Sequence, residues 1–487
     1  MQRSTSKRRI RVRLTFVYSL MAITIVAIVA VLILIIQGYR YNQYDGKVEQ
    51  GGLVQFDSAP AGASIAVDGT MLASRTAANL TLTAGPHQIT MTKDGYTTWE
   101  KNVVVIPGSV LWLNYSRLFP TSPKVSTAAS YAAVTSALPS PDQKRIAAIT
   151  VADNPSIFLT SIDTDTPTTS TLTIAATSIT QAKDTSGQQF SLIAWNKDSR
   201  YLLVKHDYDG KTEYLSIDTK GGDATRNITT QLNVAITKAQ YSLNNGSVLY
   251  VLTSANELRQ VDLSSMTISG PLAANVSDFA VSESSTVTYS TLPDANGARS
   301  VGYITSGATS AKTFETFAAM TIDQPLQFRT GTYYGDHYAV VAHGATVDIY
   351  SVTLPSSDQS ALPVATKLTS FQLDGGAIYL GFSPDGGRFI YTQHGATIIT
   401  YDLELAAKAV ITLQTAPSRE IGWMDEFHIL TTSGTGYYYD YDGTNGQPFA
   451  SGLNDMPGTL SANGKYLYYF TPSGSGSNLS RVQLTGN

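Results

Sequence analysis

The chain has 487 residues, of which 43% are hydrophobic and only 14% charged, with a net charge of −4 and no cysteine. The missing cysteine excludes structural disulfides, thiolate metal sites, cysteine nucleophiles and cysteine-linked lipid. The acidic balance argues against a nucleic-acid partner, which needs clustered Lys and Arg, and the few charges and many Thr, Ser, Gly and Tyr read as an extracellular β protein.

The leader 1–13 holds six basic residues (Arg3, Lys7, Arg8, Arg9, Arg11, Arg13) and no acidic one. Residues 14–36 follow as an unbroken uncharged run. At about 1.5 Å rise per residue this run reaches roughly 34 Å, enough for a ~30 Å hydrocarbon core. Ile, Val, Ala and Leu occupy its whole circumference and leave no polar face for a soluble helix. A cleaved signal peptide would have an apolar core of about 7–15 residues and small residues at its cleavage site. Here the run ends in Gln37-Gly38-Tyr39-Arg40-Tyr41 instead. The expectation is an uncleaved single-pass anchor in the lipid bilayer, with 1–13 cytoplasmic and the chain from residue 37 onward extracytoplasmic, because basic residues stay inside. Tyr18, Tyr39, Tyr41 and Tyr44 suit the two membrane interfaces.

A polar spacer, 37–50, leads into alternating residues. Leu53, Gln55 and Asp57 alternate with Val54 and Phe56; Ser58-Ala59-Pro60-Ala61-Gly62-Ala63 turns the chain; Asp68-Gly69 is a hairpin signal; Leu80 and Leu82 alternate with Thr81 and Thr83. Further strands are predicted at 87–92 and 97–106, after turns at Ala84-Gly85-Pro86 and Asp94-Gly95. The pieces Ser58-x-Pro60-x-Gly62-Ala63, Asp68-Gly69, Leu80-x-Leu82-x-x-Gly85-x-His87 and Lys93-x-Gly95-Tyr96-x-x-Trp99 resemble the PEGA domain. Two positions depart from it: Ala61 stands for the namesake Glu, and Thr76-Ala77 for the usual Thr-Pro. The resemblance covers about 51–107. It implies a small extracytoplasmic β-sandwich over 51–113 that binds or spaces in a cell envelope, without catalysis. Tyr96 and Trp99 are expected in its core or against a neighbouring domain.

After a linker at 114–123 the chain repeats. Each unit reads as an apolar strand, a polar turn, an aromatic-rich strand, a second turn and a third strand. Clear copies are Tyr379-Leu-Gly-Phe-Ser-Pro-Asp-Gly386 with its sequel to Leu403, and Leu192-Ile-Ala-Trp-Asn-Lys-Asp198 with its sequel to Asp218. Further first turns fall at Ser140-Pro141-Asp142, Asn244-Asn245-Gly246, Ser282-Glu283, Gly335-Asp336, Met424-Asp425 and Ser461-Ala-Asn-Gly464. The hairpin from Ala339 to Tyr350 nearly repeats that from Phe389 to Tyr401. This spacing is that of propeller blades. It predicts an all-β exterior with an eight-bladed β-propeller over 124–487, seven blades if the degenerate stretch 313–335 forms none. The Ser-Pro-Asp-Gly turn resembles the periplasmic TolB-like, PD40 class of propellers, a resemblance that implies fold more than function. Two packed sandwiches are the weaker alternative. The last unit lacks a fourth strand, and 124–130 is expected to supply it and close the ring. Trp195 and Phe382 occupy equivalent positions just before a turn, where the first strand packs between blades.

The sequence has no nucleophile elbow, no H-E-x-x-H, no phosphate loop and no dinucleotide fingerprint. Its six His are scattered. In a propeller the second turns of all units gather on one face. Asp207 and Asp209 in Asp207-Tyr208-Asp209-Gly210, His343 before Gly344 and His394 before Gly395 are therefore candidate ligand-face residues; the competing reading is hairpin chemistry, with positive φ. Asp440-Tyr441-Asp442-Gly443 lacks the further carboxylates of a calcium loop. The overall expectation is a membrane-anchored extracytoplasmic binding or scaffold protein of a bacterial envelope, not an enzyme, with no cofactor and no metal. Its partner would be an envelope protein or glycan. The alternatives are a hydrolase or lyase at the propeller channel, or an accessory subunit of an envelope transport complex.

Overall fold

The structure, a computed structural model, describes residues 4–36, 39–42, 47–150, 155–183, 187–282 and 286–485. They form two compact units, 1–122 and 123–487.

The first unit starts with helix α1 (Ser4–Ile36), which begins inside the basic leader and runs unbroken through the predicted span. Its stretch Arg11–Ile35 is long and apolar enough to cross a membrane and is not buried by the protein. Part of the predicted spacer is a hairpin, β1 (Tyr39–Asn42) with β2 (Lys47–Gln50), which places Tyr39 opposite Gln50. Tyr44 lies outside the described residues.

A two-sheet sandwich follows. Its strands are β3 (Gly52–Ala59), β4 (Ser64–Val67), β5 (Thr70–Arg75), β6 (Ala78–Leu82), β7 (Gly85–Thr92), β8 (Trp99–Val105) and β9 (Val110–Arg117), in the orders β6-β3-β9 and β5-β4-β7-β8. Alternation decides which faces meet. Every second residue of β3 is buried, and Val54 and Phe56 join Ile65, Ile89, Met91, Trp99 and Leu113 in one core. The Asp68-Gly69 turn has φ of 49° and 77°, the left-handed pair that a two-residue hairpin requires. The predicted end at residue 113 is corrected. β9 continues to Arg117 and Leu118 belongs to the core, because pairing with β3 resumes after a register shift, Ser58 opposite Ser116 and Ala59 opposite Arg117, where the expected linker 114–123 would begin. β9 is parallel to β3, with Leu53 opposite Val110. The chain therefore joins the sandwich at one end and leaves it at the other.

The described residues of the second unit form eight four-stranded antiparallel sheets. Blades 1–7 take their strands consecutively from 134–173, 189–227, 236–268, 276–317, 326–372, 379–412 and 422–454. Blade 8 combines three strands from 459–483 with β10 (Val125–Tyr131), which pairs with the last strand, Val125 opposite Val482. The ring is thus closed by the segment the sequence pointed to, which pairs the last strand of the chain. The stretch 313–335 contributes to blades 4 and 5, so the count is eight, not seven. Buried side chains from neighbouring sheets interlock around the ring. Val134, Ala137 and Ile146 of blade 1 pack against Tyr468, Phe470 and Leu479 of blade 8, and Phe449 of blade 7 meets Tyr469 at 5.2 Å between ring centroids.

Strands within each blade are called a to d from the innermost outward, which is chain order in blades 1–7; in blade 8 the chain-first β10 is strand d. The repeated turn between a and b has a common cause. Its first residue accepts the backbone N–H that opens strand b: Ser140 from Arg145, Asn196 from Tyr201, Ser383 from Phe389 and Ser461 from Tyr466, at 2.8–3.1 Å. A Ser or Asn recurs there because the turn needs a short acceptor. The predicted turn at Ser282-Glu283 falls partly outside the described residues.

Candidate functional site

The four residues expected on the ligand face lie on b–c turns, as expected, but in three blades. Asp207 and Asp209 belong to blade 2, His343 to blade 5 and His394 to blade 6. Blades 2 and 6 are opposite in an eight-membered ring. Each residue holds its own surroundings. Asp207 pairs with Lys205 at 2.8 Å and accepts from the Thr212 hydroxyl; Asp209, at φ 45°, accepts the N–H of Lys183 at 3.0 Å. His343 contacts the Asp348 carboxylate at 3.1 Å and stacks on Phe317 at 4.5 Å. Burial pushes the Asp348 carboxyl up, but Lys367, Ser370 and His343 outweigh it and hold the group below the usual range. His394 donates from Nδ1 to the carbonyl of Gly376 at 2.7 Å. Gly376 has φ 76°, and a Cβ there would lie 2.3 Å from the Gly344 carbonyl oxygen. The connection from blade 5 to blade 6 is therefore clamped between the two His-Gly turns. Among the described residues no group of three or more His, Asp or Glu is placed to hold a metal.

Blade 2 repeats this clamp in a buried form that the sequence did not single out. Glu213, on strand c, accepts from His206 Nδ1 at 2.9 Å, Asn227 at 2.8 Å, and the N–H and hydroxyl of Thr180 at 2.9 and 2.7 Å. Thr180 lies in the connection from blade 1. Burial raises the Glu213 pKa, yet these donors prevail and bring it down to about 2. His206 is sandwiched between Phe190 and Tyr208.

The wall of the central channel carries a second set of charges. Lys238 on strand a of blade 3 contacts Asp278 of blade 4 at 2.6 Å and donates to the Phe279 carbonyl at 2.8 Å. Arg329 on strand a of blade 5 approaches the other Asp278 oxygen at 3.9 Å. Arg329 follows plain alternation, but Lys238 and Asp278 reach the channel through backbone irregularity. In blade 3 the register shifts between Ile236 and Lys238, and in blade 4 between Val276 and Asp278. The extra residue of each bulge reverses the alternation, so Ile236 and Val276 are buried between blades while Lys238 and Asp278, two residues on, are partly exposed. Strict alternation would put each pair on one face, which is why sequence reading missed them; the available signal was a charged residue inside an apolar first strand. Beside this trio, a cavity of 210 Å³ opens among blades 3–6, lined by Leu243, Ser282, Thr288, Arg329, Phe382 and Tyr391 among others. It joins a cation, hydroxyls and aromatic faces. None of the four residues expected from sequence lines it.

Residues 52–118 match the PEGA domain. No curated protein matches the chain. Similar solved structures include the C-terminal WD40 domain of Sif2, at 12% identity over 74% of this chain and 99% of that one, with a TM-score of 0.47. The β-propeller domain of Cps50 (Swd1) from Myceliophteria thermophila is similar at 9% identity, 74% and 99% coverage and a TM-score of 0.42. An oligogalacturonate lyase from Vibrio parahaemolyticus is similar at 9% identity, 74% and 98% coverage and a TM-score of 0.37. The architecture itself rests on the sheet order: the chain carries a PEGA domain at residues 52–118, followed by a closed eight-bladed β-propeller and preceded by one apolar helix of membrane-spanning length.

Proposed function

We propose that the chain is a membrane-anchored, extracytoplasmic binding protein of a bacterial envelope, without catalysis of its own, whose propeller receives another envelope protein. The observation that carries this reading is an exposed apolar set at one end of blades 5 and 6. Tyr334 on the a–b turn of blade 5 is 85% exposed and Leu362, just before its strand d, 79%; Val364 and, on the c–d turn of blade 6, Leu405 are exposed too. Tyr333 bonds to Glu404 at 2.6 Å and so ties the two turns together. Exposed apolar side chains gathered on an ordered surface are the usual mark of protein contact. The basic leader before the apolar helix supports the orientation.

A photo-crosslinking residue placed at Tyr334 in the full chain, expressed in its own cells, is expected to capture a discrete protein; the same residue at Asn296, on a b–c turn, is not. Equal capture at both positions, or at neither, overturns the reading. A second reading, an extracytoplasmic hydrolase or lyase acting at the channel, is favoured by the cavity beside Arg329. It requires that Arg329→Ala abolish turnover of an anionic glycan while leaving capture at Tyr334 intact.

A further inference from the structure

The PEGA sandwich has two unlike ends. At the end where β3 starts, the segments 79–86 and 102–114 contain no Asp, Glu, Lys or Arg. Apolar side chains nevertheless stand in the open there: Val104 is 65% exposed, Ile106 53%, Val110 40% and Trp112 41%. At the other end sit Arg75, Lys93, Asp94 and Arg117. Burial in the sandwich core does not explain the apolar end, since alternate residues of the same strands, Val105 and Leu113, already fill that core.

Chain connectivity says what lies beside it. Tyr39 is three residues beyond Ile36, the end of α1, and three residues reach at most about 11 Å. Tyr39 is paired with Gln50, so the hairpin returns the chain to the point where it left the helix. Gly51 follows, and its carbonyl accepts the N–H of Gly108 at 2.9 Å in the β8–β9 turn. The exposed set flanks this turn: Val104 and Ile106 precede it, Val110 and Trp112 follow it.

We propose that this end of the PEGA domain docks on the bilayer that holds α1, with Ile106 and Val110 at the boundary between headgroups and acyl chains and Trp112 at headgroup level. The inference rests on the reading of α1 as an uncleaved anchor. Trp with short apolar neighbours suits that depth, where a ring is apolar on its face and wet at its N–H. The segments 79–86 and 102–114 bring no charge of their own, so the contact they make owes little to anionic lipid. A tethered domain needs little affinity of its own, because the anchor already keeps its local concentration near the surface high.

The native chain has no cysteine, so single cysteines label one site each. Full-length Val110→Cys and Asp94→Cys are labelled with a nitroxide in phosphatidylcholine vesicles, with and without phosphatidylglycerol. The nitroxide at 110 is expected to collide with lipid-soluble oxygen several-fold more, and with a water-soluble nickel chelate several-fold less, than that at 94, equally in both lipid mixtures. In unlabelled chain, brominated acyl chains are expected to quench a part of the emission that Trp112→Phe removes. If position 110 is as open to nickel as position 94 while the protein stays in vesicles after carbonate washing, the docking is wrong and the anchor stands. Loss of the protein on washing refutes the anchor, and the docking with it. Shielding of 110 from both reagents means that protein covers the site, and refutes lipid as its occupant.

Discussion

The two halves of the propeller ring are built differently. In blades 1–4 the pairing of strands a and b is interrupted by a register shift, at Val134/Ser136, Leu192/Ala194, Ile236/Lys238 and Val276/Asp278. In blades 5–8 the same pairing runs without interruption among the described residues. The bulged half aims Lys238 and Asp278 into the channel from strands whose apolar residues remain between the sheets. The regular half follows simple alternation, and it contains the two near-copies, the hairpins of blades 5 and 6. A repeat that looks uniform in sequence thus hides a change in which face each residue presents.

The sharpest way to break this comparison is to delete one residue from an inner strand of each half. Removing Thr330 from blade 5 shifts one side of a regular strand by one position and carries Phe328 and Leu326, both buried, to the opposite face. Loss of folding of the propeller is expected, read as absence of a cooperative thermal transition. Removing Ser277, the extra residue of the blade 4 bulge, leaves Val276 and Asp278 on the faces they already occupy. A folded ring is expected, weakened by about 1–2 kcal/mol, the scale of an ordinary substitution. Equal damage from both deletions would mean that the bulges do not set the register.

Equivalent positions of the two halves give a smaller contrast. Trp195, in bulged blade 2, is buried, donates its indole N–H to the Leu138 carbonyl at 3.2 Å and lies under the Arg145 guanidinium. Phe382, in regular blade 6, is half-buried beside the channel cavity and against Gly331. Trp195→Ala is expected to cost about 3–5 kcal/mol and Phe382→Ala no more than about half of that, since the cost grows with the apolar surface removed and the void it leaves in the core. Denaturant midpoints of the two variants check the order.

Much of this organisation was legible because it is written in short-range chemistry. The apolar run, the Asp68-Gly69 hairpin, the recurring Ser or Asn turn and the missing fourth strand of the last unit each follow from local residue preferences. The end of the sandwich was misjudged because Asn114 and the prolines of 114–123 look like linker, whereas the parallel pairing of β9 with β3 carries the strand to Arg117. On the candidate site, the four turn residues were placed on the correct turns. What they do there depends on the loops that fold back on them: Asp209 and His394 hold the connections into their own blades, through Lys183 and Gly376. Glu213 escaped notice because its donors come from Thr180, His206 and Asn227, scattered along the chain and joined only by the fold. Lys238 and Asp278 escaped because a bulge defeats the period of two on which a strand is read.

The clamp of blade 2 gives the last contrast, within one hairpin. Asp207 and Glu213 stand on the two strands of one hairpin, Asp207 opposite Thr212 and Glu213 opposite His206; one is partly exposed with a surface lysine, the other buried among the donors of Thr180, His206 and Asn227. Asp207→Ala should change stability by about 0.5 kcal/mol or less, as for other surface pairs. Glu213→Gln should cost about 2–3 kcal/mol at pH 7, because hydrogen bonds to a charged acceptor are lost in a site closed to water. Its pH dependence fixes the sign. The Glu213 carboxyl titrates at about 2 in the folded chain, against an ordinary glutamate value of 4.5. A lowered pKa means that the unfolded chain takes up the proton first, so the stabilisation is fully present above about 4.5 and is lost as pH falls toward 2. The gap between native chain and Glu213→Gln, measured by urea unfolding at a series of pH values, should therefore be constant from about pH 7 to about pH 5 and close below that. A gap that persists undiminished at about pH 2.5 would show that the substitution acts through shape rather than through the charge.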